Sequence, residues 1–85
     1  MHYVYILLGL KDKKFYIGLT NDVKRRIAEH SRGDNTSTAK RLPLKLVFYE
    51  AYIRRSDAQR RERYFKTSKG KVTLKQILTD TLTFM

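Results

Sequence analysis

Residues 3–18, YVYILLGLKDKKFYIG, are two apolar runs separated by a short polar segment. The first run, residues 3–8, is rich in aromatic and branched side chains and predicts a buried strand. The polar residues 9–13 predict a hairpin loop, and residues 14–18 predict a second strand. The chain is therefore expected to begin with a hairpin, which needs further elements packed against it to be stable in water.

The segment after the hairpin predicts a helix. Thr20 or Asn21 can cap its N-terminus, with Asp22 in the first turn near the positive end of the helix dipole. A glycine at position 33 is expected to end this helix after residue 31 or 32. Residues 34–41 are polar and predict a loop, and the proline at position 43 keeps that loop from continuing as helix.

Residues 44–52 alternate in polarity and predict a third strand. Ser56 and Gln59 have the spacing of a capping box, which predicts a second long helix ending near residue 70. Thr73 and Gln76 repeat that spacing and predict a short third helix. No element is assigned to residues 79–85.

The predicted element order is β-β-α-β-α-α. This order favours an α+β (α/β) fold in which a three-stranded antiparallel sheet is flanked by helices. With 85 residues, the chain is expected to be a single domain over residues 1–85 with a modest core.

The charge balance points to a polyanionic partner. Nineteen Lys and Arg residues against eight Asp and Glu residues give a net charge of +11, and such a field attracts DNA or RNA. The chain has no cysteine, which excludes disulfides and thiolate metal sites. No leader or membrane-length apolar run is visible, so a cytoplasmic location and no membrane partner are expected.

The first predicted helix carries charged residues where apolar ones are expected. Its inward stripe starts at Val23, and Arg26 and His30 fall on the same stripe. Burying part of a guanidinium without a partner costs several kcal/mol, so an anionic group is expected to meet Arg26. Arg25 and Glu29, on the outer face, are predicted to form a surface pair.

Glu62 is the corresponding anomaly in the second long helix. Ala58 and Phe65 mark its apolar side, and Glu62 lies between them. The alternative is that Glu62 simply forms an ion pair with Lys66, four residues later. Sequence alone leaves both interpretations open.

Tyr5 and Tyr16 are on neighbouring strands of the predicted hairpin, so both side chains can emerge near each other on one face. The simpler alternative is that these tyrosines fill a half-exposed sheet surface. His30 likewise has a simple explanation as a histidine favoured by the helix C-terminus.

Taken in order, these residues resemble the GIY-YIG endonuclease family over about residues 3–66. The first motif departs from the family pattern, because Tyr3 stands where glycine is expected. The resemblance implies that Gly18 lets the backbone pass close to the site. The positions matching the family's site are Tyr5, Tyr16, Gly18, Arg26, His30 and Glu62.

The resemblance implies metal-assisted hydrolysis of a phosphodiester bond. It makes Glu62 the ligand of one Mg²⁺ or Mn²⁺ ion and Arg26 a clamp on phosphate oxygens. Tyr5 is expected to act as general base or to orient the water. Tyr16 is expected to assist Tyr5 or to bind phosphate. His30 is expected to hold Tyr5 or to shuttle the proton.

The expected substrate is nucleic acid, with DNA preferred to RNA. No recognition element accompanies the domain, so structure-selective or weakly sequence-specific cutting is expected, in DNA repair or recombination, by a monomer or weak dimer. The alternative is a non-catalytic nucleic-acid-binding module. The side chains predicted to contact the phosphate backbone are Lys40, Arg41, Arg60, Arg61, Arg63, Lys66 and Lys69.

Overall fold

The predicted hairpin is present in the computed structural model, which describes residues 1–84. The elements are β1 (His2–Gly9), β2 (Phe15–Thr20), α1 (Val23–Ser31), a short 3-10 helix (Ala39–Arg41), β3 (Leu44–Tyr52), α2 (Arg55–Phe65), α3 (Ser68–Ile77) and α4 (Thr79–Thr83). The predicted fold class is confirmed. Helix α4 occupies the segment that the sequence left unassigned, and residue 85 lies outside the described part. None of the helices in residues 1–84 has the length and apolar character needed to span a bilayer.

The sheet has the order β2-β1-β3, and both pairs are antiparallel. Central strand β1 places Tyr5 opposite Gly18 of β2 and Tyr49 of β3. Strand β3 has the predicted bounds, whereas β2 starts one residue later than predicted and continues to Thr20. The side chains of β1 from Val4 onward are buried because the strand has a neighbour on each edge and helices above and below.

One face of the sheet forms the hydrophobic core. Val4 and Ile6 pack with Ala58 and Phe65 of α2 and Leu74 of α3. Ala58 and Phe65 are the two residues that the sequence marked as the apolar side of this helix, and both are fully buried. Helices α2 and α3 therefore cover the face that carries the even-numbered side chains of β1.

The opposite face carries the odd-numbered side chains of β1, because successive residues of a strand point to opposite sides. Tyr5 is one of them, and its hydroxyl contacts His30 of α1. Helix α1 therefore covers this second face, and the sheet separates it from α2.

Helix α1 is capped by a different residue from the two predicted. The side chain of Asp22 accepts a backbone N–H of the first turn, so Asp22 is the N-cap. Thr20 instead accepts the backbone N–H of Asp22 at 3.1 Å, and the prediction of Thr20 or Asn21 as the cap is wrong. The helix ends at Ser31 as predicted, and Gly33 follows with a φ of 79°.

The capping box predicted for α2 is also wrong. Its N-cap is Arg54, which makes no side-chain capping bond, and neither Ser56 nor Gln59 closes a box. The helix ends at Phe65 and does not reach Gly70.

A separate cap begins α3. The Thr67 hydroxyl accepts the backbone N–H of Gly70 at 3.0 Å, so the helix starts well before Thr73 and Gln76, and a start at those residues is wrong. Gly70 lies so close to the Tyr64 carbonyl that a Cβ would overlap it. Glycine thus permits the tight junction between α2 and α3 and does not end a helix there.

The charge pairing on α1 differs from the prediction by one residue. The Arg26 Nη1 lies 3.1 Å from the Glu29 Oε1, whereas the Arg25 guanidinium donates to the Asn21 side chain at 3.4 Å. The predicted pair of Arg25 and Glu29 is wrong, and Glu29 is the anionic partner that Arg26 requires.

Candidate active site

A chain of three hydrogen-bonded side chains lies between the sheet and α1. His30, in the last turn of α1, is 0% exposed. Its Nε2 lies 3.0 Å from the Tyr5 hydroxyl oxygen, and its Nδ1 lies 2.7 Å from the Thr38 Oγ1. Both ring nitrogens therefore have partners, and the imidazole is held in one orientation.

Tyr16 places a second phenol beside this hydrogen-bonded chain. Its ring centroid lies 5.0 Å from that of His30 and 6.3 Å from that of Tyr5. Tyr16 is half-buried, whereas Tyr5 is 0% exposed. Of the two phenols, Tyr16 is therefore the one that solvent or a substrate can reach.

Gly18 makes room for the Tyr5 ring. A Cβ added at Gly18 would overlap the distal atoms of that ring. Because Tyr5 crosses over β2 at this point to reach His30, only a residue without a side chain fits below it. The resemblance implied a passage for backbone, but the contact here is with the phenol of Tyr5.

Arg26 lies one helical turn before His30 and beside the phenol of Tyr5. Its guanidinium keeps one ion pair, to Glu29, and its side chain is 33% exposed. The charge of Arg26 acts on Tyr5, where it opposes part of the effect of burial on the tyrosine pKa. A half-exposed guanidinium with donors to spare is suited to bind an anion such as phosphate.

The buried pair is electrically neutral near pH 7. Burial raises the pKa of Tyr5 to about 12, and the neighbouring Tyr16 adds to the increase. Burial, reinforced by the charge of Arg26, lowers the pKa of His30. Both shifts disfavour the charged forms. A protonated phenol and an uncharged imidazole therefore share the hydrogen bond.

Glu62 is separate from this cluster in the described structure. It belongs to α2, on the other face of the sheet, and its Oε2 lies 3.5 Å from the Lys66 Nζ. Arg61 points toward β3, where it binds Glu50. Since successive helical residues are about 100° apart, Glu62 lies on the opposite flank of α2, toward edge strand β2, the strand that carries Tyr16.

The donor atoms at Glu62 suit one divalent cation. Within residues 1–84 no three His, Asp or Glu side chains are grouped as a metal cage. A Mg²⁺ ion does not need one, because it keeps several waters and takes one or two carboxylates plus substrate phosphate. The Glu62 side chain is 20% exposed and its one ion pair is to an exposed lysine, so its carboxylate is open to such an ion.

The basic residues predicted to bind nucleic acid fall into two groups. Arg61 donates to both carboxylate oxygens of Glu50, at 2.9 and 3.2 Å. Arg41 donates to Asp12 at 2.8 Å and to the Lys14 carbonyl at 2.9 Å. These two guanidinium groups hold the fold together. The side chains of the second group are on exposed residues, and they are Lys40, Arg60, Arg63, Lys66 and Lys69.

Thr38 is the site residue that the sequence did not identify. It is 0% exposed although it lies in the polar loop after α1. Thr36 and Ser37 in the same loop are exposed. Nothing in the sequence separates these three hydroxyl residues, because a loop has no periodicity from which burial can be inferred.

Replacing Thr38 by valine is expected to lower the free energy of unfolding by about 1–3 kcal/mol, since the buried Nδ1 of His30 loses its partner. Thr38→Ser keeps the hydroxyl and is expected to cost less. Thr36→Val, at an exposed position of the same loop, is the control and should change stability by about 0.5 kcal/mol or less. Urea denaturation measures all three. Equal stability of Thr38→Val and Thr36→Val would contradict the assigned hydrogen bond.

The GIY-YIG catalytic domain matches residues 1–76 of this chain. The chain belongs to the GIY-YIG family. Membership makes it part of a family of nucleases, which act on nucleic acid and in general depend on a divalent metal.

Small GIY-YIG relatives extend over most of the chain. A UPF0213 protein of Staphylococcus haemolyticus is 42% identical over 77 residues, covering 89% of this chain and 93% of the relative. A UPF0213 protein of Lacticaseibacillus paracasei is 42% identical over 66 residues, covering 76% of this chain and 73% of the relative. The solution NMR structure of the UPF0213 protein BH0048 from Bacillus halodurans is 38% identical, with a TM-score of 0.56, and covers 89% of this chain and 83% of that chain. The recognition of a small GIY-YIG protein is thereby confirmed.

Proposed function

We propose that this GIY-YIG protein is a divalent-metal-dependent endonuclease that hydrolyses phosphodiester bonds in DNA. The observation that carries the proposal is the cluster of Tyr5, Tyr16, Arg26 and His30 on one face of the sheet. Two phenols and an imidazole beside a half-exposed guanidinium are groups that can bind a phosphate and accept a proton. The net charge of +11 supports a polyanionic substrate.

The proposed role of each residue follows from its exposure. Arg26 binds the oxygens of the scissile phosphate, because its guanidinium has free donors and lies beside Tyr5. Tyr16, the accessible phenol, contacts the attacking water or a phosphate oxygen. Tyr5 and His30, both buried, position Tyr16 and provide a route for the proton. With its pKa raised to about 12, the Tyr5 phenol stays protonated near pH 7 and is not available as a base, so we assign Tyr5 this supporting position.

Glu62 is the proposed ligand of Mg²⁺ or Mn²⁺. A bound cation supplies positive charge to the phosphate and lowers the pKa of bound water. The carboxylate of Glu62 lies toward β2, the strand of Tyr16, so a strand of DNA that passes over this edge can meet residues from both faces of the sheet. A polyanion would be repelled by Glu62 unless a cation intervenes.

Structure-selective or weakly sequence-specific cleavage, with a place in DNA repair or recombination, is the form of activity we propose. Residues 1–84 contain no recognition helix beyond the elements of the nuclease domain. Contacts to phosphates carry no sequence information.

The second candidate is a nucleic-acid-binding module without catalysis. The neutral Tyr5–His30 pair and the ion pair between Glu62 and Lys66 favour it, since both satisfy these groups without a substrate. A fold of nuclease ancestry does not by itself ensure activity.

Metal removal separates the two candidates. The purified protein is expected to cleave branched or single-stranded DNA in Mn²⁺ or Mg²⁺ and to bind without cleaving in EDTA. Matched duplex DNA and RNA oligonucleotides test substrate choice. Retention of every substrate with no product at any metal concentration would establish the binding module instead.

A further inference from the structure

Four lysines from two distant parts of the chain meet around one recess. Lys13 and Lys14 belong to the β1–β2 hairpin, and Lys71 and Lys75 belong to α3. They line a recess of about 410 Å³ together with Phe15. All four lysines are exposed. We propose that this lysine recess binds the phosphodiester backbone of the nucleic acid.

The charges of the recess are not neutralised by the protein. Within residues 1–84 none of the four lysines is in an ion pair with a carboxylate. The hairpin has a single acidic residue, Asp12, and its carboxylate is held by Arg41 at 2.8 Å. Four like charges in one place repel one another, and a polyanion relieves that repulsion.

The hairpin backbone has an unfavourable conformation at one of these lysines. Lys13 has a φ of 58°, in the left-handed region, which is unfavourable for a lysine and natural for glycine or asparagine. Arg41 fixes this conformation by bonding Asp12 and the Lys14 carbonyl. A lysine at a position that favours other residues indicates a use for its side chain.

The recess lies at the start of edge strand β2 on the α3 side of the sheet, whereas the Tyr16 ring contacts His30 on the α1 side. Phe15 begins β2, and Tyr16 is the next residue. Residues of a strand rise about 3.3 Å each, so Lys14 lies about two steps from Tyr16. A DNA strand whose scissile phosphate lies at Arg26 and Tyr16 would reach the lysines by passing round the edge of the sheet at the start of β2. The inference rests on the proposed nucleic-acid substrate and adds the path of its backbone.

Salt-dependent binding tests the recess. A fluorescein-labelled single-stranded oligonucleotide is titrated by anisotropy in EDTA, so no cleavage occurs, at several KCl concentrations. The double variant Lys71→Gln/Lys75→Gln is compared with Lys24→Gln/Lys45→Gln, which removes the same charge from exposed positions outside the recess. The recess variant is expected to reduce the slope of log K against log salt by about 1.4, since each phosphate contact on a single strand contributes about 0.7. The control is expected to change the slope little.

A second variant separates binding from folding. Lys13→Asn suits a positive φ, so it is expected to leave the urea midpoint unchanged or raise it while weakening the affinity severalfold. Equal salt slopes for the two double variants would overturn the proposal, because binding would then depend on the overall charge of the protein and not on the recess. Cleavage by the wild-type protein is scored independently: binding through the recess without cleavage refutes the endonuclease, and cleavage with equal slopes refutes the recess.

Discussion

Glu62→Gln is expected to reduce the rate of DNA cleavage by roughly a hundredfold or more while leaving the fold intact and the DNA affinity unchanged or higher. The amide keeps the size of the side chain but cannot hold a divalent cation, and loss of one transition-state charge interaction typically costs a factor of about 10²–10³. Single-turnover cleavage at saturating protein, measured across a Mn²⁺ titration, determines both the rate and the metal requirement.

Lys66→Gln separates this role from the ion pair in which Glu62 takes part. If Glu62 only paired with Lys66, removing either partner would have a similar, small effect, because an exposed i,i+4 pair contributes about 0.3–0.5 kcal/mol. We expect Lys66→Gln to retain cleavage with a severalfold weaker affinity. Asp80→Asn, at an exposed carboxylate of α4, controls for the added positive charge. Identical cleavage rates for Glu62→Gln and Asp80→Asn would remove Glu62 from the site.

Arg26→Lys tests the other charged group of the site with the charge kept. A lysine supplies one point charge and loses the planar pair of donors that grips two phosphate oxygens. The variant should therefore bind DNA nearly as well as the wild type and cleave it far more slowly, in the same single-turnover assay. Full activity in Arg26→Lys would show that charge alone is sufficient at this position.

The sequence predicted the strands and the tyrosine cluster because both follow from side-chain periodicity. Alternation in residues 44–52 defined β3, and the charged residues on the apolar stripe of α1 located Arg26 and His30. In each case the repeat of side chains along the strand or helix assigns a residue to one face. Burial of that face then limits which residue types fit there. Tyr5 and His30 are in contact; that His30 holds Tyr5 was one of the two roles that the family resemblance implied.

The helix ends were less predictable because several neighbouring residues have the same capping chemistry. Thr20, Asn21 and Asp22 are all good N-caps, and only the path of the chain out of β2 selects Asp22. The junction between α2 and α3 depends on the close approach of Gly70 to Tyr64, which is a tertiary contact with no local pattern.

Neither the lysine recess nor the burial of Thr38 could be predicted from the sequence, and the physical reason is the same for both. Lys13 and Lys71 are neighbours only because α3 packs against the end of the sheet from which the hairpin projects. Thr38 is buried only because its loop folds over His30. Contacts between distant, non-periodic segments require coordinates.

Gly18→Ala is expected to lower the free energy of unfolding by about 3 kcal/mol or more, which can unfold a domain of this size. The added Cβ would overlap the distal atoms of the Tyr5 ring. Neither group can move away easily: β2 is held by its ladder with β1, and the Tyr5 hydroxyl is held by His30. Urea denaturation followed by far-UV circular dichroism measures the loss.

A double-mutant cycle identifies the Tyr5 ring as the cause. Tyr5→Phe keeps the distal ring carbon that meets the added methyl group, so Gly18→Ala should be as damaging in that background as in the wild type. Tyr5→Leu removes the distal atoms, and the cost of Gly18→Ala should then fall by about 2 kcal/mol, within the range of coupling between contacting residues. The same cost in both backgrounds would mean that the backbone of β2 requires glycine for its own sake. Rescue by leucine alone would show that glycine in the Tyr-Ile-Gly motif provides the space through which Tyr5 reaches His30.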